Sequence, residues 1–160
     1  MANKVGLVTG ISVLSLLTAL SFVPRTPQEA SVLHEGKLEI PQTYGVDLEV
    51  GKVPARGEPF DVVDVWFEAV TGTERYLAPV HGAVMALMSG EKAEYASCAS
   101  ASFSRQRINL NDLKAGSVLC VKTRRGLLSE IRFEHMLEDN PTPPHLPIMT
   151  ITFTTWSKNR

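Results

Sequence analysis

Charge excess and cysteine are both scarce in this chain. Sixteen Lys and Arg against 17 Asp and Glu leave a formal net charge of -1 over 160 residues. A nucleic-acid footprint needs a basic face that displaces several counterions from a phosphate backbone, so no nucleic acid is expected as a partner. The one basic cluster, Lys122 with Arg124 and Arg125, is short and reads as a solvated hairpin tip. Signatures of common chemistry are missing as well. There is no Gly-x-Ser-x-Gly, no His-Glu-x-x-His, no phosphate-cradling glycine loop and no Asp-x-Asp-x-Asp-Gly ladder. Only two cysteines are present, Cys98 and Cys120, and two thiols with no adjacent His or second Cys pair fall short of zinc spacing. No metal and no cofactor are therefore expected. No internal repeat of solenoid or propeller length occurs.

The N-terminus carries a clear targeting signal. Lys4 supplies a positive n-region, Val5 to Leu20 is uncharged and apolar, and Ala19 and Ser21 are small residues at the spacing that precedes a cleavage site. A signal peptide over 1–21, cut after Ser21, fits this pattern. The charge-free stretch runs on to Pro24, so residues 5–24 could instead stay in the membrane as an uncleaved anchor. No Cys follows the apolar run, which argues against a lipid anchor on cysteine. Both readings place the rest of the chain outside the cytoplasm, where a lone pair of cysteines forms a structural bridge. Cys98–Cys120 is the expected disulfide, and closing that loop constrains the denatured chain by roughly 3 kcal/mol.

Beyond the signal, residues 22–36 are polar and punctuated by Pro24 and Pro27, as in a linker. The domain is expected over 37–157. Leu38 and Ile40, then Val46, Leu48 and Val50, alternate with polar residues as two short strands. Lys52 to Pro59 is a loop. Val63, Val65, Phe67 and Ala69 share one face of a strand whose other face carries Asp64, Trp66 and Glu68. A turn at Thr71–Glu74 leads to a partner strand over Arg75–Val80, and Ala83–Met88 reads as a further strand. Cys98 leads a small-residue strand, and Asn109–Gly116 is a helical turn whose Leu110 and Leu113 cap the core. Ser117–Thr123 and Leu127–Glu134 form a hairpin closed at Gly126. The prolines of His135–Pro147 require a surface connection. Ile148–Trp156 closes the domain, Met149, Ile151 and Phe153 alternating with threonines. About seven or eight short strands make an all-β antiparallel sandwich or partly open barrel.

The run Leu110-Asn111-Asp112-Leu113-Lys114-Ala115-Gly116, followed by Cys120-Val121-Lys122-Thr123 and preceded by Tyr95 and Cys98, resembles small uncharacterised β-rich domains of exported bacterial proteins. Asp64-Val65-Trp66-Phe67, Glu74-Arg75-Tyr76-Leu77 and His81-Gly82-Ala83 are similar to their upstream half. Lys122 stands where that pattern has Arg, and Leu127 where an Arg is common. The resemblance spans most of Val46 to Trp156. It implies the β fold, export and the bridge, and carries no known activity.

Candidate site residues follow from surface chemistry. Trp66 and Tyr76 beside Asp64 and Glu68 would suit a sugar or peptide platform, since rings offer apolar faces and carboxylates accept hydroxyl hydrogens. The expected function is a non-catalytic binding or structural module of the cell envelope, with a surface glycan or envelope protein as partner. One rival is a secreted hydrolase using Asp61, Asp64 and Glu68; Asp47 with Glu49 is a further acid pair. The other is an assembly domain pairing through an edge strand at Ile148–Trp156. His34, His81, His135 and His145 stand at loop edges, and His81, His135 and Glu134 are the set that a metal would need to share.

Overall fold

The computed structural model describes residues 30–90, 92–138 and 146–157. The signal or anchor segment, the linker up to residue 29, and His145 with Pro141, Pro143 and Pro144 lie outside the described residues. The described chain is an all-β sandwich of two antiparallel sheets carrying one disulfide. Its strands are β1 (Ser31–Pro41), β2 (Gly45–Val46), β3 (Val65–Ala69), β4 (Arg75–Pro79), β5 (Val84–Met88), β6 (Ile108–Asn109), β7 (Val118–Lys122), β8 (Leu128–Glu138) and β9 (Ile148–Ser157). One sheet has the order β1-β9-β8-β7-β5 and the other β2-β3-β4-β6.

Alternation along the strands builds the core, because every second side chain points the same way. Val65 and Phe67 of β3 and Leu77 of β4 meet Leu119 and Val121 of β7, Ile131 and Phe133 of β8, and Met149, Ile151 and Phe153 of β9. The space left among them is only about 10 Å³, roughly that of a single water, too small for a ligand between these side chains. Leu110 and Leu113 close one end, and a 3-10 turn over Leu110–Asp112 carries the first of them, as the leucine spacing suggests. Gly126 takes φ 79 at the β7–β8 turn, the left-handed conformation that a glycine adopts without strain.

The opposite face of the larger sheet is covered too. Val118 and Cys120 of β7, Leu128 of β8 and Trp156 of β9 form a second cluster with Ala93 and Cys98. Cys98 lies on a short helix, α1 (Tyr95–Ala99), and not on a strand. The bridge to Cys120 spans 5.3 Å between Cα atoms and fastens α1 across the sheet, with Tyr95 edge-on to Trp156 at 5.9 Å between ring centroids.

Several expected boundaries move. β1 begins at Ser31, so residues 31–36 of the expected linker are strand, paired from Ser31 opposite Ser157. Val50 is exposed, because β2 ends at Val46 and residues 47–52 turn back through a bridge between Asp47 and Lys52. β8 continues to Glu138 through two register shifts, which shortens the proline-rich connection. β9 is an interior strand flanked by β1 and β8, so Ile148–Trp156 offers no free edge and Thr150 is buried. That corrects the assembly reading based on this strand.

Replacing both Cys98 and Cys120 with Ala removes a loop constraint of roughly 3 kcal/mol. Urea unfolding should show a loss of that order. Hydrogen exchange should show the α1 amides losing protection ahead of those of β8.

Candidate functional site

Two polar features lie on the connections around β2, one closed and one open. The closed one starts from three carboxylates. Asp64, at the entry to β3, is 0% exposed, and Asp47 and Glu49 are buried in the turn after β2. A buried carboxylate is tolerated only where donors surround it, and the β7–β8 turn supplies them. Asp64 Oδ1 accepts the Arg124 backbone N–H at 3.0 Å, and Oδ2 accepts that of Leu48 at 3.0 Å. Glu49 Oε1 accepts the Thr123 hydroxyl at 2.8 Å and the Arg125 N–H at 2.9 Å. Arg125 Nε lies 2.9 Å from Glu49 Oε2, and the Arg124 guanidinium lies 3.4 Å from Glu49 and 3.7 Å from Asp47. Arg124 Nε also donates to the Val62 carbonyl at 3.1 Å.

The hairpin tip is therefore not freely solvated. Arg124 packs over acids that sequence alternation had placed on a wet face, and Arg125, itself exposed, caps Glu49 from outside. Burial pushes the Asp64 carboxyl up to about 6, with the like charges of Glu49 and Asp47 acting the same way and the N–H bonds from Arg124 and Leu48 opposing it. This cluster is a structural clasp: Asp64 has no exposed surface from which to reach a substrate.

The open feature is a cleft of about 360 Å³ bounded by Tyr44, Pro54, Arg56, Phe60 and Leu146. Its volume is in the range of small-molecule sites. Pro59 starts a 3-10 turn over Phe60–Val62 that holds the Phe60 ring 45% exposed. Phe60 stands edge-on to Trp66 at 5.7 Å and to His81 at 5.4 Å. Trp66 in turn donates from Nε1 to the Thr43 carbonyl at 3.1 Å, and His81 Nδ1 lies 3.0 Å from the Val63 carbonyl. The rim has one anchored acid, Glu58, which accepts from Lys52 Nζ at 2.8 Å and from the Ala55 N–H at 3.0 Å. The Lys52 ammonium, the larger influence, and the Ala55 N–H hold the Glu58 carboxyl below its usual range.

The expected platform is only partly assembled. Glu68 and Tyr76 are directly paired across β3 and β4. Arg107 covers both: its guanidinium lies 3.9 Å from the Tyr76 ring centroid and 3.1 Å from Glu68 Oε2. Asp64 is withdrawn into the clasp. Trp66 is half-buried, stands edge-on to the Phe60 ring and does not itself line the cleft. Phe60, Tyr44 and Arg56 went unrecognised in the sequence because they lie in an aperiodic loop; a Phe directly after Pro59 in so polar a stretch was the available signal. Glu134 pairs with Lys37 at 2.6 Å, and no three His, Cys, Asp or Glu side chains gather as a metal site among the described residues. His135 lies on β8 and not in the connection after it.

No protein-family model matches this chain, and no curated protein matches it.

An acid whose carboxyl is raised in the folded state binds its proton more tightly there than when unfolded. The stability this lends is fully present below the unfolded value near 3.8 and is lost as pH rises to about 6. Unfolding free energies from urea titrations should fall across that window, by on the order of 3 kcal/mol at 1.4 kcal/mol per pH step. The Asp64 carboxyl carbon should titrate near 6 by NMR. Asp64→Asn should flatten the slope while losing one of the two N–H bonds.

Proposed function

We propose that this protein is an exported, non-catalytic binding module of the bacterial cell envelope that holds a glycan or a short peptide segment in the cleft beside Phe60. The observation that carries this reading is a concave surface built from Tyr44, Phe60 and Pro54, with the Arg56 side chain at its rim. Ring faces take up the apolar face of a sugar or side chain, and a guanidinium supplies hydrogen bonds in a fixed fork. Ligand sites commonly combine such an apolar lining with a few polar groups.

The disposition of the carboxylates supports binding over hydrolysis. Glycoside cleavage needs two carboxyl groups facing each other across an open substrate site. Asp64 is sealed in the clasp, Glu68 is paired with Arg107, and neither they nor Asp61 lines the cleft. Export is supported by the N-terminal sequence, by the resemblance to exported domains and by a cysteine pair closed as a disulfide, a bond that persists in oxidising compartments.

A screen of immobilised glycans and peptides against the exported protein tests this reading. Phe60→Ala should weaken capture of whatever binds by about tenfold, the scale of losing one aromatic anchor. Because Phe60 is half exposed, its melting temperature should change little. Tyr76→Ala, whose ring lies under Arg107, should bind as the parent does. Binding that survives Phe60→Ala would remove the cleft from consideration.

A further inference from the structure

The larger sheet has two outer edges, and they are finished differently. Along β5, Ser104 lies beside Met85, each donating its N–H to the other's carbonyl at 2.8 Å. The smaller sheet ends in β2 and β6, each of two residues. β1 is 11 residues long, pairs with β9 along one side, and has no strand on the other among the described residues. A row of backbone donors and acceptors on such an edge is a template for another strand. Val32 and Leu33, 51% and 44% exposed, add apolar surface at one end.

We propose that two copies of this protein associate edge to edge through β1, antiparallel and centred on Gly36, so that their five-stranded sheets become continuous. A two-fold axis normal to a sheet keeps paired side chains on one face, so some residue must meet its own copy at the axis. Three registers use most of the strand. Centring on Glu35 sets Glu35 against Glu35, and centring on Lys37 sets Lys37 against Lys37 and Glu35 against Glu39. Like charges directly opposite are destabilising. Centring on Gly36 leaves no side chain at the axis and places Glu35 opposite Lys37 twice, one pair on each side. It also sets His34 opposite Leu38. The register shift between Val32 and His34 confines regular pairing to His34 onward, a segment that contains both charged pairs. Glu35 and Lys37 are exposed, and Lys37 already reaches Glu134 of its own chain. The partner's Glu35 would join that row of alternating charge. Few side chains meet across a single pair of edges, so the association is concentration-dependent.

A charge-swap cycle on the full chain, purified as exported, tests this by sedimentation equilibrium. The parent's mass should rise with concentration from one chain toward two. Glu35→Lys alone or Lys37→Glu alone sets like charges opposite each other twice, and each should raise the dissociation constant about tenfold or more. The double variant Glu35→Lys with Lys37→Glu, carried in a Glu134→Gln background so that the new acid at position 37 faces no like charge within its own chain, restores both pairs and should return it toward the parent value. Circular dichroism on each variant should match the parent, since both positions are at the surface. A one-chain mass at every concentration overturns the proposal. So does a dimer indifferent to the single swaps, or one that the double swap fails to restore.

Discussion

The fold depends on finding donors for three carboxylates that the chain buries at one end of the sandwich. Asp47, Glu49 and Asp64 come from a turn and a strand entry of the smaller sheet's chain, whereas Thr123, Arg124 and Arg125 come from a hairpin of the larger sheet. An ion left unpaired in the interior costs several kcal/mol, so neither half is stable there without the other. The clasp therefore does more than add attraction. It ties the two sheets together at this end, since Leu48 from one side and Arg124 from the other each bring a backbone N–H to an oxygen of Asp64. With all groups ionised, three acids face two arginines. The like charges of Glu49 and Asp47 add to burial in raising the Asp64 carboxyl to about 6.

The same turn explains two neighbouring details. Leu48 gives its N–H to Asp64, and its carbonyl accepts the hydroxyl of Thr155, which also touches Ser129 at 2.7 Å. Ser129 on β8 and Thr155 on β9 are thus satisfied, one through the other, by the turn they support. Gly51 reverses the chain at φ 67 with its α-carbon against the Phe153 ring, where an added Cβ would lie 2.6 Å from a ring carbon. Any side chain there would have to displace a core aromatic, so the turn can present its acids only with glycine at this position.

Alternation made the sandwich legible, and its main strands could be read directly: Val65 and Phe67, Leu119 and Val121, and Met149, Ile151 and Phe153 all point into one core. The disulfide was legible because a chain whose N-terminus reads as an export signal and which has two cysteines has one pairing to make. What misled was polarity. Asp47, Glu49 and Asp64 look like the wet face of strands, because a one-dimensional pattern cannot show that a hairpin some sixty or more residues later brings backbone donors to them. Cys98 seemed to lead a strand because the small residues around it suit either a tight strand or a short helix; packing against Trp156 decides for the helix. β1 was cut short at its start because Ser31–Gly36 lacks alternation, and it is strand there through its bonds to β9.

These arguments divide the surface by what is already committed. Tyr76 and Glu68 are taken up by Arg107, the hairpin arginines by Glu49, and β9 by its neighbours on both sides. Scaffold chemistry thus consumes most of the residues that look functional in the sequence. Among the described residues, the Phe60 ring, propped at the rim of a cleft by Trp66 and His81, packs against no further strand, and the outer edge of β1 has no strand paired to it. They lie on different layers of the sandwich, Phe60 leading into β3 and β1 bounding the opposite sheet. A partner strand on β1 would extend the larger sheet sideways, in the plane of its hydrogen bonds. The cleft is built on the connections that flank β2 and β3, so association through one and binding at the other use separate groups.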